Sequence, residues 1–96
     1  MVVFSADERD DFTFIEFELP EGVIAPGELA QALVDAPEID PRKGVVISGR
    51  GPVWLFGALV HIYHATAWVA TFDPRLGAVV VETHTPNRKV GEVVLG

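Results

Sequence analysis

The segment His61–Arg75, HIYHATAWVATFDPR, places groups capable of acid–base or metal chemistry in an otherwise apolar stretch. It contains two of the three histidines, one of only three acidic residues after position 41, and an arginine. Imidazole titrates near neutral pH and binds many divalent metals. A carboxylate can hold a metal or a proton, and a guanidinium can hold a phosphate. The chain has no cysteine, which excludes thiolate nucleophiles and sulfur-bound zinc.

A second candidate is the turn SGRGP, which follows a branched apolar run and precedes a run of helix formers. Such a turn offers backbone N–H groups and the positive end of a helix dipole to an anion. Gly49 and Gly51 allow close approach. Ser48 can donate its hydroxyl, and Arg50 can bind a phosphate through two hydrogen bonds. The motif is neither a Walker A loop nor a full dinucleotide fingerprint, so a tight strand–helix turn with an exposed arginine explains it equally well.

His61 and His64 share one stripe of a predicted helix with Val53 and Gly57. A glycine inside a helix costs about 1 kcal/mol relative to alanine, so its presence indicates that something packs close to it. The stripe therefore suggests a face directed at another subunit or a ligand, and the two histidines could hold one metal. Hydrogen-bonded histidines near a helix end are the simpler interpretation, because a positive charge is favourable there.

Asp73 and Arg75 belong to the motif DPR, and His84 ends the strand that follows it. Asp-Pro is an ordinary turn opener, whereas no turn type requires Arg75. The pair offers a carboxylate for a metal or a proton and a cation for a phosphate. For His84 the simplest interpretation is a solvent-exposed residue at the end of a strand.

Length and charge limit the classes of function. Ninety-six residues form one small domain, residues 1–96, and we expect it to be cytoplasmic because no export or membrane-spanning stretch is evident. Residues 1–41 hold eleven acidic residues and one arginine, whereas residues 42–96 hold three acidic and six basic residues. An extended nucleic-acid track is therefore disfavoured, while a small anionic ligand bound by a few arginines stays open.

The apolar patterning predicts an α/β fold with a mixed sheet and few helices. A strand–helix–strand order around residues 44–72 is typical of a parallel sheet with a right-handed crossover, and the short turn DPRLG requires an antiparallel pair. The predicted helices are Pro26–Val34 and Pro52–Ala65. The predicted strands are Val2–Phe4, Phe12–Leu19, Gly44–Ser48, Ala67–Phe72, Gly77–His84 and Glu92–Gly96.

These strand directions divide the candidate groups between two ends of the domain. The Ser48–Gly51 turn would share one end with Asp73 and Arg75, and the three histidines would lie at the other. The two sets could then combine only if another subunit stacked head to tail.

The segment RKGVVISGRGPVWLFGALVHIYHATAWVATFDPRLGAVVVETHT, Arg42 to Thr85, resembles the small CRISPR-associated ring nuclease family of type III antiviral systems. KGVVISGRGPVWL and FDPRLGAVVV are its most specific parts. The resemblance covers nearly half of the chain, and the first forty residues match only in layout. In this sequence Ala65 and Ala67 stand where relatives often have His and Pro.

The resemblance implies a small Rossmann-like domain that cleaves cyclic tetraadenylate, the RNA second messenger of these systems, with manganese. It also implies a homodimer that stacks head to tail into tetramers or longer oligomers around the ring. A manganese-dependent deadenylating activity on poly(A) RNA is a further implied activity, and a sensor that binds the ring without cutting it is the non-enzymatic alternative. The residues that match the family motifs are His64, Asp73 and Arg75 as catalytic groups, His64, Asp73 and His84 as metal ligands, and Ser48, Gly49, Arg50, Gly51 and His61 as ligand-binding residues.

Overall fold

The computed structural model describes residues 1–95 as a mixed six-stranded sheet with two α-helices. The strands are β1 (Val3–Glu8), β2 (Phe12–Glu18), β3 (Gly44–Gly49), β4 (Trp68–Asp73), β5 (Gly77–Thr83) and β6 (Val93–Val94). The helices are α1 (Leu29–Asp35), which follows the 3-10 turn Pro26–Glu28, and α2 (Val53–Ile62). The predicted α/β class is confirmed.

The strands lie in the sheet in the same order as in the chain. β2, β3 and β4 are parallel, while β1, β5 and β6 pair antiparallel with their neighbours. Both helical crossovers therefore lead in the same direction, and their helices pack into one apolar cluster on one face. This chain-order sheet does not confirm the finer expectation of a Rossmann-like strand arrangement.

The helix-covered face holds the larger part of the core. Alternate residues of the three parallel strands point to it, and Leu55 and Leu59 of α2 cover them with no exposed surface. Glu16 and Glu18 on the opposite face of β2 are exposed, as the alternation of that strand predicts. The strand residues of this cluster are Ile15, Phe17, Val45, Ile47 and Val69.

The other face carries a second apolar cluster, in which Trp68 and Val46 are buried. No helix covers this face in the part of the chain that the structure describes. Guanidinium groups lie over its aromatic rings instead: Arg88 is 5.0 Å from the Trp68 ring centre, and Arg9 is 5.5 Å from that of Phe12. Arg88 also pairs with Asp11 at 2.8 Å, which ties the C-terminal loop to the β1–β2 turn.

The predicted helix Pro52–Ala65 is shorter than expected at its C-terminal end. α2 ends at Ile62, and Pro52 is its N-cap rather than its first helical residue. Tyr63 leaves the helix with its hydroxyl donating to the Pro37 carbonyl at 2.6 Å. The Thr66 hydroxyl lies 2.8 Å from the Tyr63 carbonyl, a local bond that competes with helical pairing. Helix propensity alone did not indicate this stop, where Tyr63 contacts a loop 26 residues away in sequence.

Two strands, the first and the last, have an end that differs from the prediction by more than one residue. β1 continues to Glu8, four residues beyond the predicted Phe4, because it pairs with β2 along its whole length. The last strand consists of Val93–Val94 alone, and Gly96 lies outside the described residues. The antiparallel pairing of β4 with β5 is confirmed, with Asp73 opposite Gly77. In the described chain no helix is long and apolar enough to cross a membrane.

Two glycines give opposite predictions for stability. A Cβ added at Gly44 would fall inside the ring of Trp68, which is 2% exposed and cannot move freely, whereas one added at Gly57 meets nothing within 4 Å. We expect Gly44→Ala to lower the free energy of unfolding by about 1–3 kcal/mol through overpacking. Gly57→Ala should raise it by about 0.5–1 kcal/mol. Urea denaturation measures both, and an unaffected Gly44→Ala protein would contradict the packing described for Trp68.

Candidate functional site

The two-end arrangement predicted from strand directions is present. β3 and β4 run parallel with Ile47 opposite Thr71, so both strands end at the same edge of the sheet. The Ser48–Gly51 turn and the DPR motif follow those strand ends. β5 returns in the opposite direction, and Nε2 of His84 lies 2.8 Å from the backbone oxygen of His64. Within one chain the arginine end and the histidine end are therefore separate.

The glycines of the Ser48–Gly51 turn are explained by packing within the chain. A Cβ on Gly49 would lie 2.6 Å from the Phe17 ring, and one on Gly51 would lie 2.9 Å from it. The close approach expected toward an anion is thus made to an aromatic ring of β2. Ser48 is 8% exposed, so its hydroxyl is largely covered. The backbone of this turn and Arg50 are its parts most open to a ligand.

Arg50 differs from the other arginines of residues 1–95. Each of the other four forms a salt bridge with an aspartate: Arg9 with Asp7, Arg42 with Asp40, Arg75 with Asp73, and Arg88 with Asp11. Arg50 is exposed and forms none among the described residues. An unpaired guanidinium beside a glycine turn is suited to an anionic group supplied from outside the chain.

The Asp73 side chain accepts a backbone hydrogen bond that stabilises the turn, as the aspartate of an Asp-Pro turn usually does. Its Oδ1 accepts the backbone N–H of Arg75 at 2.8 Å, and the Arg75 guanidinium lies 3.5 Å from Oδ2. These contacts, the backbone bond first, hold the pKa of Asp73 below its ordinary value of 3.8. The carboxylate is therefore anionic near neutral pH and cannot serve there as a general acid. The Arg75 side chain is 87% exposed and free to reach a ligand.

His61, in the last turn of α2, and His64, two residues beyond the helix, form an exposed pair. Their rings stack with centres 5.6 Å apart, and Nδ1 of His64 donates to the His61 carbonyl at 2.8 Å. Because that carbonyl accepts only, the neutral ring of His64 carries its lone pair on Nε2. Nε2 is thus the nitrogen available to accept a proton or bind a metal.

Two supporting residues of the histidine end were not identified from sequence. Oε1 of Glu82 lies 3.2 Å from Nε2 of His84, so this carboxylate helps to orient the ring. Tyr63, between the two other histidines, is 6% exposed and anchors their segment to Pro37. Glu82 of β5 sits two residues before His84, which directly follows that strand, and this spacing places both on one face of a regular strand and could have indicated the pair.

One chain does not assemble the expected manganese site. Among residues 1–95 no three histidine, aspartate or glutamate side chains lie close enough to hold a metal ion together. His64 and His84 are neighbours, but Asp73 lies at the opposite end of the sheet. A metal that uses all three residues would need a second subunit.

The stripe of Val53, Gly57, His61 and His64 faces solvent. All four residues are exposed, Val53 by 86%, and nothing in the chain contacts the open side of Gly57. The expectation that something packs near Gly57 is therefore not met within the chain.

Comparison with known proteins identifies the family of this chain. Residues 17–95 match the family described as CRISPR-associated protein (Cas_csx3). The chain belongs to this Cas_csx3 family. It is also 48% identical over 91 residues to an uncharacterised protein of Aquifex aeolicus (strain VF5), covering 90% of this chain and 79% of that relative. A CRISPR-associated role is thereby shown for the family to which the chain belongs.

The anchoring of the histidine segment can be measured directly, because Tyr63 is the only tyrosine in the sequence. Burial raises its pKa from 10.0 to about 12. Ultraviolet absorbance of tyrosinate should therefore titrate near pH 12 in the folded protein and near pH 10 in denaturant. Since the folded state keeps the proton longer, stability should fall as pH rises from 10 to 12. A folded-state midpoint near 10 would contradict the buried anchor, and Tyr63→Phe should abolish the absorbance change.

Proposed function

We propose that this protein is a manganese-dependent ring nuclease that opens cyclic tetraadenylate and ends type III CRISPR signalling. The observation that carries the proposal is the separation of complementary groups. Arg50, Asp73 and Arg75 lie at the carboxyl ends of the parallel strands, while His64 and His84 lie at the opposite end. Membership of a CRISPR-associated family and the resemblance of Arg42–Thr85 to ring nucleases support it.

Cleavage of the ring requires removal of a proton from a ribose 2′-hydroxyl next to the phosphate that is cut. Nε2 of His64 is the free ring nitrogen and is exposed, so it can accept this proton. The oxygen then attacks the phosphorus in line with the bond to the leaving 5′-oxygen. The leaving 5′-oxygen takes up a proton from solvent water, so the products of this step are a 2′,3′-cyclic phosphate and a free 5′-hydroxyl.

The phosphate gains negative charge during this attack. The exposed guanidinium of Arg75 can stabilise that charge, and Arg50 with the backbone of its turn can hold a neighbouring phosphate. Asp73 positions Arg75 through the turn that both residues form. The arginine end of the domain thus binds the phosphates and stabilises the developing negative charge, whereas the base, His64, lies at the histidine end.

Manganese accepts imidazole nitrogen and carboxylate oxygen, so His64, His84 and Asp73 are chemically suitable ligands. Because His64 has one free ring nitrogen, it can act as the base or bind the metal, but not both at the same time. A single chain does not bring the three residues together. The proposal therefore requires the metal to bind between subunits stacked head to tail, and no step above depends on the ion.

A sensor that binds cyclic tetraadenylate without cutting it is the second candidate. The observation in its favour is that Arg50 and the backbone of its turn are open to an anion within one chain, without the histidines. Three reactions separate the candidates: purified protein with labelled ring and manganese, the same with a chelator, and protein with poly(A)-tailed RNA. Metal-dependent ring opening supports the proposal. Binding without cleavage supports the sensor, and tail shortening with an intact ring supports a deadenylase.

Mixing two inactive variants tests whether the site is shared. His64→Ala removes the base, and Asp73→Asn removes the charge while its Oδ1 still accepts the turn hydrogen bond. His64→Ala alone should lose at least about 100-fold in rate, since a positioned base contributes that much. Asp73→Asn alone should also lose activity, because the amide cannot pair with the Arg75 guanidinium as an anion or serve as an anionic metal ligand. Their mixture should recover part of the activity, because some contacts between subunits then combine an intact His64 with an intact Asp73.

The control is a protein that carries both substitutions in one chain. At the same total protein concentration as the mixture, it should stay inactive. Size-exclusion chromatography must show that all variants assemble as the wild-type protein does. A mixture that stays inactive although the subunits exchange would contradict a site formed between chains.

A further inference from the structure

A groove runs past Arg50 between the loop after β2 and the start of α2. One half, of about 480 Å³, is lined by Leu19, Val23, Arg50 and Trp54 among others and contains no acidic residue. The other half, of about 700 Å³, also borders Arg50 but includes Glu16 and Glu18. We call these the Trp54 half and the acidic half.

Trp54 is unusual among the aromatic residues of the described chain. Among the phenylalanine, tyrosine and tryptophan side chains of residues 1–95 it alone is exposed, at 37%, whereas Trp68 is 2% exposed. The rings of Phe17 and Phe56 pack edge to face, but Trp54 takes part in no aromatic pair and lies under no guanidinium among residues 1–95. The core-facing residues of α2 are Leu55 and Leu59, so Trp54 is not needed to fill the core.

The charges of Arg50, Glu16 and Glu18 determine in which half of the groove the phosphate of a ligand would lie. A phosphate is attracted by the unpaired Arg50 and repelled by Glu16 and Glu18, so it belongs on the Trp54 side of the arginine. An aromatic ring joined to that phosphate then lies over Leu19, Val23 and Trp54. A flat ring linked to an anion is the chemistry of a nucleotide, whose bases stack on exposed aromatic side chains.

We infer that Trp54 is a base-binding residue, which stacks on a nucleobase whose adjoining phosphate is held by Arg50. This inference deepens the proposed function and rests on it for the identity of the base, adenine. Trp54 would then contribute to binding and orientation of the ring rather than to the chemical step.

The test compares Trp54→Ala, Trp54→Phe and a matched control, Val34→Ala, which shortens an apolar residue of α1 that is 76% exposed and outside the groove. Loss of one base stack should weaken binding of cyclic tetraadenylate by Trp54→Ala about 5- to 100-fold. KM should rise with it, while kcat stays within about threefold. Trp54→Phe keeps a stacking ring and should retain most of the affinity. Val34→Ala should match the wild-type protein.

Tryptophan fluorescence supplies an independent readout. The ring should quench wild-type emission, and this quenching should be lost in Trp54→Phe although the variant still binds. Wild-type affinity in Trp54→Ala would overturn the inference. A smaller oligomer for Trp54→Ala, together with wild-type emission that the ring does not quench, would show instead that Trp54 contacts a second copy.

The failures of the two proposals are distinguishable. Binding of the ring without cleavage refutes the nuclease but supports the inference if Trp54→Ala weakens that binding. If the wild-type protein does not bind the ring, the same titration is made with linear tetraadenylate and with adenosine 5′-monophosphate. Quenching that is lost in Arg50→Ala would support a nucleotide site for another ligand, and no quenching by either probe would overturn the inference.

Discussion

The parallel pairing of β2, β3 and β4 determines where every chemical group of this protein lies. Parallel neighbours cannot be joined by a tight turn, so a helical crossover must follow β2 and β3, and both crossovers lie on one face. The carboxyl ends of the strands then share one edge, which carries the Ser48–Gly51 turn and Asp73. The end of α2 and the antiparallel return of β5 place His64 and His84 at the opposite edge. Without this parallel pairing, the residues of each group would not be brought together.

The same constraint keeps the two groups apart. α2 is a ten-residue helix, about 15 Å long at 1.5 Å per residue, and it lies between Arg50 and the histidines. No side-chain rearrangement closes that distance within a rigid sheet core whose central valines and isoleucines are fully buried. Chemistry that needs an imidazole and a guanidinium on one phosphodiester therefore needs two chains. The exposed stripe along α2 and the unpaired Arg50 are features that such an assembly, with a nucleotide between its subunits, can use.

Much of this arrangement could be predicted from the sequence, because it follows from local pattern and strand direction. The branched run of β3, the alternation of Ile15 and Phe17 with glutamates, and the five-residue turn DPRLG are local signals that the structure confirms. The anchoring of Tyr63 at the end of α2 could not be predicted, because the Pro37 carbonyl that it contacts is 26 residues away in sequence. The packing of Phe17 against Gly49 and Gly51 could not be predicted either, because these residues are also far apart in sequence. The turn that resembles an anion site therefore also contributes to packing of the core.

The central claim is that the reactive groups meet only between subunits. Its most direct measurement is the rate of cyclic tetraadenylate cleavage per subunit over a wide range of protein concentration, with light scattering to give the mass of the assembly at each point. We expect the rate per subunit to fall on dilution in parallel with the loss of the stacked assembly, and to recover on reconcentration. A monomer that cleaves the ring at the full rate per subunit would contradict the account.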